Sequence, residues 1–513
     1  MYLFAKILLT VYLYLISYFY TLSVPASWDA PLRFAAIYVC VHVICHFLQK
    51  LRVTILDEPG HLNWRFGLVS AALAWAVLGI YYAAWYPGGL IVDTFNQWYQ
   101  VQQGYLLDWH PAIHTLLFLK LPSLICNSLA FACFMQIVWL GLAVGYLGMV
   151  LERWGIPKKW CILALALGVI APASAICLSF IWKDTAMTIF LIVLAGQVIE
   201  IVFSDGAWLK KWQNTVLFGL FGALAALMRH NAILLVAPLM LLIALLYWKQ
   251  LKRCALMGGI CTLVFIAGIK GPVYKILHVQ SHPQVAAEML GVPMTILANV
   301  LVNAPEKLDE EAREFLYRIA DQEMWESNYE EGNWNSAKWM GDDISNDVIE
   351  EVGAGNVLRY TWHAIQKAPY LSYRAVVKLF EVVWKPAGTS VTWSYTINVD
   401  SSNIYGYETT GIAWLRNILS KWDSLAVNGS VLTTWSWHIG FFIMLLLFFG
   451  VSRLKEGLKK TLLWVPALCY NFGTALLLCG PDFRFFCFNT VLSFVLVLAL
   501  LCQKREAVDE KAA

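Results

Sequence analysis

Charged residues are scarce in this chain. They make up only 14% of its 513 residues, whereas hydrophobic residues make up 59%. A typical soluble domain has about 25% charged and about 45–50% apolar residues. The composition therefore excludes a soluble enzyme and a disordered protein, and a formal net charge of +3 without a basic stripe excludes a nucleic-acid-binding protein. The sequence predicts a protein whose main solvent is a lipid bilayer.

Cysteine is absent from residues 272–435, the one long stretch without a convincing apolar span. All 12 cysteines of the chain fall in or beside the apolar runs, and none has the C-x-x-C spacing of a zinc site. A domain held together by disulfides is therefore excluded for that stretch. The cysteines are interpreted as small apolar residues of helix packing.

Apolar runs that can cross a bilayer recur along the chain, since a span needs about 20 mainly apolar helical residues. Twelve such runs lie near residues 2–22, 33–50, 66–86, 128–150, 161–180, 185–203, 214–228, 231–247, 255–271, 436–451, 462–479 and 484–502. The predicted fold is an all-α polytopic membrane protein with about 12 transmembrane helices. The run 112–126 is expected to lie on or dip into the outer face. Cleavage of the first run after Ala26, as a signal peptide, is the alternative to an uncleaved first span.

Basic residues recur in every second loop between these runs. Because Lys and Arg concentrate in cytoplasmic loops, we expect both termini in the cytoplasm and the protein in the plasma (inner) membrane. Residues 272–435 hold 12 basic and 20 acidic residues, against 25 and 14 elsewhere, as expected of an outward domain. The predicted units are an N-terminal hairpin (1–65), a core (66–271) with a first outer loop (87–127), a mainly helical extracytoplasmic domain (272–435), C-terminal helices (436–503) and a cytoplasmic tail (504–513).

The start of the first outer loop carries polar residues at helical spacing. Asp93, Asn96, Gln97 and Gln100 stand at positions i, i+3, i+4 and i+7, so they share one face of a helix. Residues 86–100 contain no Lys or Arg. A helix cap after Pro-Gly-Gly is the structural alternative for Asp93.

Two histidines follow in the same loop. His110 stands in the string Asp108-Trp109-His110-Pro111, and His114 follows one helical turn later. Interfacial packing or helix capping is the structural alternative for both histidines. An H-x-x-x-H pair without a Glu beside the first His is a weak metal signal, so no metal ligand is assigned and no cofactor is expected; a divalent cation remains the alternative.

Three further outer turns carry charge between apolar runs. Lys183 and Asp184 form one tight turn, Arg229 and His230 stand in another, and the third contains Asp482 and Arg484 (residues 480–485). A Lys183–Asp184 ion pair and anchoring of Arg484 at headgroup level are the structural alternatives. A carboxylate beside several cations suits phosphate chemistry, because Arg and Lys neutralise a phosphate leaving group and a carboxylate takes a proton from a hydroxyl.

Six short strings follow one another along the chain: Asp-x-x-x-Gln (93–97), Asp-Trp-His-Pro (108–111), Trp-Lys-Asp (182–184), Arg-x-Asn (229–231), Ser-His-Pro (281–283) and Pro-Asp-x-Arg-Phe (481–485). Their order is similar to that in a family of uncharacterised bacterial membrane proteins. The layout also resembles the GT-C superfamily of polytopic glycosyltransferases, which use lipid-phosphate-linked sugars and carry a key acidic residue in a first outer loop. Two features depart from the pattern: the acidic loop follows the third span, and Asp93 has no adjacent acid.

The resemblance implies an inverting glycosyltransferase with an extracytoplasmic active site. Its donor would be a polyprenyl-phosphate sugar, and its acceptor an envelope glycan or glycolipid. Asp93 would act as general base, with His110 orienting it. The expected substrate-binding residues are Asn96, Gln97, Trp109, His114, Lys183, Asp184, Arg229, His230, Asp482 and Arg484.

A transporter or flippase for a lipid-linked or anionic substrate is the alternative function. Twelve spans with both termini inside also suit a secondary transporter. Transporters, however, place their polar residues near the bilayer midplane in broken helices. The polar residues of this chain concentrate instead at helix ends. A membrane-embedded scaffold or sensor would leave these charged turns unexplained.

Overall fold

The structure is a computed structural model that describes residues 1–23, 29–281, 286–338, 344–388, 391, 393–429 and 431–504. Ala26, His282 and Pro283 lie outside these residues, as does the tail from 505 onward. The described chain is mainly helical. Its two short strands, β1 Val53–Ile55 and β2 Cys502–Lys504, pair in parallel, with Thr54 opposite Gln503.

The longest helices lie in the first half of the chain, together with several short ones. In order, the helices of this half are α1 Tyr2–Phe19, α2 Ala30–Leu48, α3 Trp64–Ala84, α4 Val92–Gln103, α5 Ala112–His114, α6 Leu121–Ser123, α7 Leu129–Arg153, α8 Lys158–Val169, α9 Pro172–Leu178, α10 Lys183–Phe203, α11 Trp212–Met228, α12 Ile233–Leu251, α13 Arg253–Gly268 and α14 Tyr274–Ile276. A π-helical turn, Thr115–Lys120, joins α5 to α6.

The second half of the chain contains shorter helices, none longer than 15 residues among those described. They are α15 Ala286–Met289, α16 Gly291–Asn303, α17 Glu310–Ile319, α18 Gln322–Asn328, α19 Ile344–Val352, α20 Ala354–Lys367, α21 Pro369–Leu379, α22 Glu381–Trp384, α23 Ala413–Leu425, α24 Val431–Trp437, α25 Ile439–Arg453, α26 Val465–Ala475 and α27 Phe488–Leu501. Short 3-10 segments extend several of them, including His230–Ala232 before α12 and Phe483–Phe486 before α27.

The described residues contain eight helices long and apolar enough to cross a membrane, or up to ten if two bent pairs each form one span. The bent pairs are α8 with α9, at 68°, and α24 with the helix that begins at Ile439, at 80°. Two more expected spans correspond to α11, with 17 residues, and α26, with 11 residues. The chain is an all-helical membrane protein, and the number of twelve spans stays a prediction.

Small residues allow the long helices to pack closely. Asn63 begins α3 by accepting a hydrogen bond from the Phe66 amide, at 3.2 Å. Further along α3, Gly67 faces Gly145 of α7, and a Cβ on Gly145 would come within 2.8 Å of the Gly67 carbonyl oxygen. Such small–small contacts are a common way to pack membrane helices, where lipid supplies no hydrophobic drive.

Residues 272–435 contribute side chains to more than one hydrophobic core. Buried side chains from Ala287 to Ala375 form a core of their own, to which the membrane part contributes Cys479. The main core of the membrane helices instead includes Leu379, Val382, Val383, Val391, Trp393 and Ile397. Val377 and Trp384 form a small separate core with Ile16 of α1. The segment after α21 is therefore packed into the helix bundle, which brings it close to the charged turns.

The short helical run 112–123 lies against the bundle. Ile113, Phe118 and Leu119 are buried, and the Phe118 ring meets Trp139 of α7 edge to face at 4.9 Å between ring centroids. The π-helical turn inside this run widens the helix next to His114. Such turns are frequent at functional sites.

A half-buried carboxyl fastens α23 to the bundle. Asp423 accepts a hydrogen bond from the Tyr81 hydroxyl at 2.7 Å. Burial raises the pKa of the Asp423 carboxyl to about 7, although the hydrogen bond from Tyr81 opposes the rise. In the unfolded chain the pKa of Asp is about 3.9. The unfolded state therefore loses this proton at lower pH than the folded state does.

We expect the protein to lose stability as the pH rises from about 4 to about 7, because the unfolded state ionises Asp423 first. Asp423→Asn keeps a hydrogen-bond acceptor but cannot ionise. The variant should have a higher Tm than the wild type at pH 8 and the same Tm at pH 4. Equal Tm values at both pH values would contradict the prediction. Asp57→Asn, at an exposed bend between β1 and α3, serves as the control.

Candidate functional site

The backbone around Gly89 places Asp93 beside the start of α10. The Gly89 amide donates to the Ser179 carbonyl at 3.1 Å, and the Ile181 amide donates to the Gly89 carbonyl at 3.4 Å. Gly89 has no side chain, and a Cβ there would collide with the Phe180 ring. This close pairing therefore brings α4, which begins three residues later, next to the Trp182-Lys183-Asp184 turn.

Asp93 lies at one end of a chain of ionic contacts. Its Oδ2 is 3.4 Å from Arg484 Nη1, and its side chain is 32% exposed. Arg484 also contacts Asp482, with Nε 2.9 Å from Oδ2. The Tyr395 hydroxyl donates to the other oxygen of Asp482 at 2.6 Å. Arg484 is thus held between two carboxylates, one of which remains accessible from outside.

Lys183 and His110 form a second polar contact, separate from the contacts of Arg484. Lys183 Nζ lies 3.3 Å from His110 Nδ1. His110 is buried, and it is carried by the loop that Pro111 ends. The Lys183 side chain therefore points toward the loop that carries His110, not toward its sequence neighbour Asp184.

Asp184 and Arg229 form a buried ion pair. Asp184 is 2% exposed, and one of its oxygens is bound by Arg229. Arg229 also donates through Nε to Asn231 at 2.8 Å, and Asn231 donates to Thr474 of α26 at 3.0 Å. The second Asp184 oxygen has no hydrogen-bond partner among the described residues. The pair links the start of α10 to the end of α11.

One aromatic ring connects the two arginines. The Arg229 guanidinium carbon lies 3.7 Å from the centroid of the Phe485 ring, and that of Arg484 lies 5.3 Å from it. Arg484 also lies 5.6 Å from the Trp182 ring centroid. Cations held on aromatic faces keep their charge at lower desolvation cost. The charged turns therefore form a single cluster.

A cavity of about 380 Å³ opens beside this cluster. Its polar lining includes Lys183, Arg229 and His230, while Ile233, Leu234, Leu477 and Phe485 form an apolar wall. Ile233 and Leu477 are exposed on the surface of the molecule. The cavity thus combines cations with an apolar side that reaches the outside of the bundle between α12 and α26.

The remaining predicted residues fall into two groups. Gln97 and His114 are buried and bonded to each other, with Gln97 Nε2 3.0 Å from His114 Nδ1. Asn96 and His230 are exposed, and Trp109 is half-buried with its ring against His110. The first group holds α4 to the run 112–123, whereas the second group lies at accessible surface around the cluster.

The charges of the cluster shift two titrating groups outside the spans. Burial by itself raises the pKa of the Asp93 carboxyl, but Arg484, His110 and Lys183 outweigh it and hold the pKa below its ordinary value. Burial and the charge of Lys183 lower the pKa of His110 to about 4, against the opposing effect of Asp93. At neutral pH Asp93 is therefore ionised and His110 is neutral.

Two sets of polar contacts were not predicted from the sequence: that of Tyr395 with Asp482, and that of Asp108 with Lys270 and Tyr274. Tyr395 stands in a Thr/Ser/Tyr-rich stretch without a distinctive pattern, so no sequence signal marked it. Asp108 lies 3.4 Å from Lys270 and 3.3 Å from the Tyr274 hydroxyl. Phe485 and Trp182 belong to the strings Pro-Asp-x-Arg-Phe and Trp-Lys-Asp, but no role was assigned to them. An aromatic residue next to Arg or Lys was the sequence signal that could have predicted their contacts with the arginines.

No group of three or more His, Cys, Asp or Glu side chains among the described residues is placed to hold a metal ion. The ligand-capable histidines of the cluster make other contacts, His110 with Lys183 and His114 with Gln97.

These features define an all-helical membrane protein with a cluster of paired charges at the ends of its helices. The chain belongs to a family of unknown function, DUF6020, whose model matches residues 101–513. Asp93 precedes the matched residues, whereas His110, Lys183, Asp184, Arg229, Asp482 and Arg484 lie within them. No curated protein and no solved structure matches the chain.

Proposed function

We propose that the protein is an inverting glycosyltransferase of the GT-C type in the plasma membrane, with its active site on the outer face. It transfers a sugar from a polyprenyl-phosphate donor to a hydroxyl of an envelope glycan or glycolipid. The main supporting observation is the cavity beside the cluster, where Lys183 and Arg229 stand against an apolar wall. Asp93 does not line this cavity, but it is close enough to Lys183 for the two charges to interact. This combination suits a lipid phosphate, because the phosphate needs cations and the prenyl chain needs an apolar surface.

The donor phosphate would lie between the cations of the cavity. Arg binds phosphate with two N–H donors in a fixed fork, and Lys acts as a compact point charge. Arg229 already gives one bond to Asp184, so its position is fixed before the donor arrives. The prenyl chain would leave between α12 and α26, along Ile233 and Leu477.

The transfer would be a single displacement at the anomeric carbon. The acceptor oxygen forms the new glycosidic bond, the bond from carbon to phosphate oxygen breaks, and the polyprenyl phosphate leaves with the electron pair. Asp93 takes the proton of the acceptor hydroxyl. Lys183, Arg229 and Arg484 stabilise the negative charge that develops on the phosphate.

Arg484 has a double role in this proposal. In the absence of donor it pairs with Asp93 and keeps that carboxylate weakly basic. A bound phosphate competes for the guanidinium, which would release Asp93 and raise its proton affinity. Asp482 and Tyr395 keep Arg484 at the site when this exchange occurs.

The alternative of a transporter or flippase has less support. Lys183 stands at the start of α10, Arg229 at the end of α11, and Arg484 just before α27. A transport site is expected near the middle of the membrane, between discontinuous helices.

The proposal is tested by sugar transfer in vitro. The full chain in nanodiscs is given a radiolabelled polyprenyl-phosphate hexose and an extract of envelope glycans, and release of polyprenyl phosphate is measured together with label in the glycan. Coupled appearance of both products supports the transferase. Movement of the intact lipid-linked sugar across the bilayer, without cleavage, would establish the transporter instead.

The pH profile of the free enzyme follows from the two shifted groups. Asp93 stays ionised and His110 stays neutral above about pH 5, because the pKa of His110 is about 4 and that of Asp93 is lowered. We expect kcat/KM to change by less than about twofold between pH 5.5 and 7 and to fall below pH 5. An acid limb centred near pH 6.5 would contradict the buried, neutral state of His110.

A further inference from the structure

A second cavity lies at the other end of the helices that carry the charged cluster. Its volume is about 620 Å³, and α7, α10 and α11 supply most of its lining. Ligand cavities in proteins commonly measure about 300–1,000 Å³. No residue of the charged cluster lines this cavity, and the proposed transfer reaction does not use it.

The cavity is elongated along α10. Ile189, Phe190, Val193, Gln197 and Glu200 line it from one face of that helix. At 1.5 Å per residue, these positions extend over about 16 Å of helix. The aromatic side chains Trp139, Phe190 and Phe221 close the end nearer the charged cluster.

The opening of the cavity faces the lipid side of the bundle. Leu142 of α7 and Leu217 of α11 both line the cavity and are exposed. Leu142 lies in the middle of α7, and Leu217 lies in the first half of the shorter apolar helix α11. A hydrocarbon chain can therefore enter sideways from the bilayer without crossing a polar barrier.

The far end of the cavity is polar and positively charged at its edge. Arg153 lies 2.7 Å from Glu200 and donates through Nε to the Gly60 carbonyl at 3.1 Å. A guanidinium carries five N–H donors, so donors remain for a further acceptor. Lys210 and Lys211 stand exposed next to the lining residue Trp208. This end suits an anionic headgroup.

A buried amide lies about one turn deeper than the ion pair. Gln197 lines the cavity and is 3% exposed, and its Oε1 has no hydrogen-bond partner among the described residues. Buried polar atoms nearly always have a partner. A polar group of a ligand, at the junction between head and chain, would supply one.

We propose that this cavity is a binding site for an anionic glycerophospholipid. One acyl chain lies in the slot beside Val193 and ends at Trp139 and Phe190. The phosphate contacts Arg153, and the glycerol region contacts Gln197. The proposal does not depend on the transfer reaction, because the site lies at the opposite end of α10 from Lys183.

The test uses the full chain in nanodiscs that contain phosphatidylglycerol or phosphatidylcholine with a diazirine on the acyl chain. After irradiation, lipid adducts are located by mass spectrometry. We expect adducts on Leu142, Leu217 or Phe221, at least about fivefold more with phosphatidylglycerol. Val193→Trp, which fills the slot, should remove these adducts. Gln197→Leu, of similar size, should lower them several-fold.

Leu263→Trp is the matched control, because Leu263 is exposed on α13 and does not line the cavity. It should leave the adducts unchanged. The proposal is overturned if Val193→Trp and Leu263→Trp give the same adducts. It is equally overturned if the two lipids label the cavity equally and Gln197→Leu has no effect, since the slot would then hold any chain without recognising a headgroup. Sugar transfer is not part of this readout.

Discussion

Replacing Arg229 by Met is expected to lower the free energy of unfolding by about 3–5 kcal/mol, because the change leaves Asp184 charged, buried and without its partner. Asp184 is 2% exposed, and Arg229 is its ionic partner. The loss is measured by denaturant titration of the purified chain in mixed micelles. The variant should also lose sugar transfer, because the proposed phosphate site loses a cation.

A second substitution separates the two effects of Arg229→Met. In the double variant Asp184→Asn with Arg229→Met, no buried charge is left unpaired, so most of the lost stability should return. Sugar transfer should stay lost, since the cation is still missing. Recovery of transfer in the double variant would show that Arg229 serves the fold alone. A stability loss below about 1 kcal/mol in the single variant would contradict the buried pair.

Replacing Asp93 by Asn is expected to reduce the rate of sugar transfer by about 10²- to 10⁴-fold, the usual contribution of a general base. The amide has nearly the same shape as the carboxylate but cannot take the proton from the acceptor. The stability of the variant should remain close to that of the wild type, because Arg484 keeps its contact with Asp482. The measurement is single-turnover transfer from the labelled donor.

Binding of the reaction product distinguishes a lost base from a damaged site. Asp93→Asn should bind polyprenyl phosphate at least as tightly as the wild type, because Arg484 no longer has Asp93 as a competing partner. Glu323→Gln, an exposed carboxyl far from the cluster in sequence, is the control and should transfer normally. Transfer by Asp93→Asn within about twofold of the wild-type rate would remove Asp93 from the mechanism.

The helices could be predicted well from the sequence, and their exact extent could not. An apolar run predicts a helix in lipid because every backbone donor and acceptor must be satisfied within the segment. Eight of the twelve expected runs correspond to helices that meet the length and hydropathy of a span. The runs 161–180 and 436–451 correspond to bent pairs, and 214–228 and 462–479 to shorter helices. The bend between α8 and α9 falls where Pro172 begins α9, and hydropathy by itself does not report such a break.

The members of the charged cluster could be named from the sequence, because a charge between two apolar runs is costly and therefore conspicuous. Their pairing could not. Lys183 and Asp184 are adjacent and suggested an ion pair, yet Lys183 contacts His110 and Asp184 contacts Arg229. Adjacent residues at the start of a helix point in different directions, so proximity along the chain does not decide which groups meet.

The sequence by itself determined that this is a helical membrane protein with a few charges at helix ends, because hydropathy and charge are local properties of the chain. The tertiary structure alone decided that Arg484 reaches Asp93 across 391 positions of sequence, and that Tyr395 supports Asp482 from a loop without a motif. The position of Gln197 in a lipid-facing cavity was likewise decided by packing. Contacts of this kind depend on how separate helices pack, and a single sequence carries no direct record of that packing.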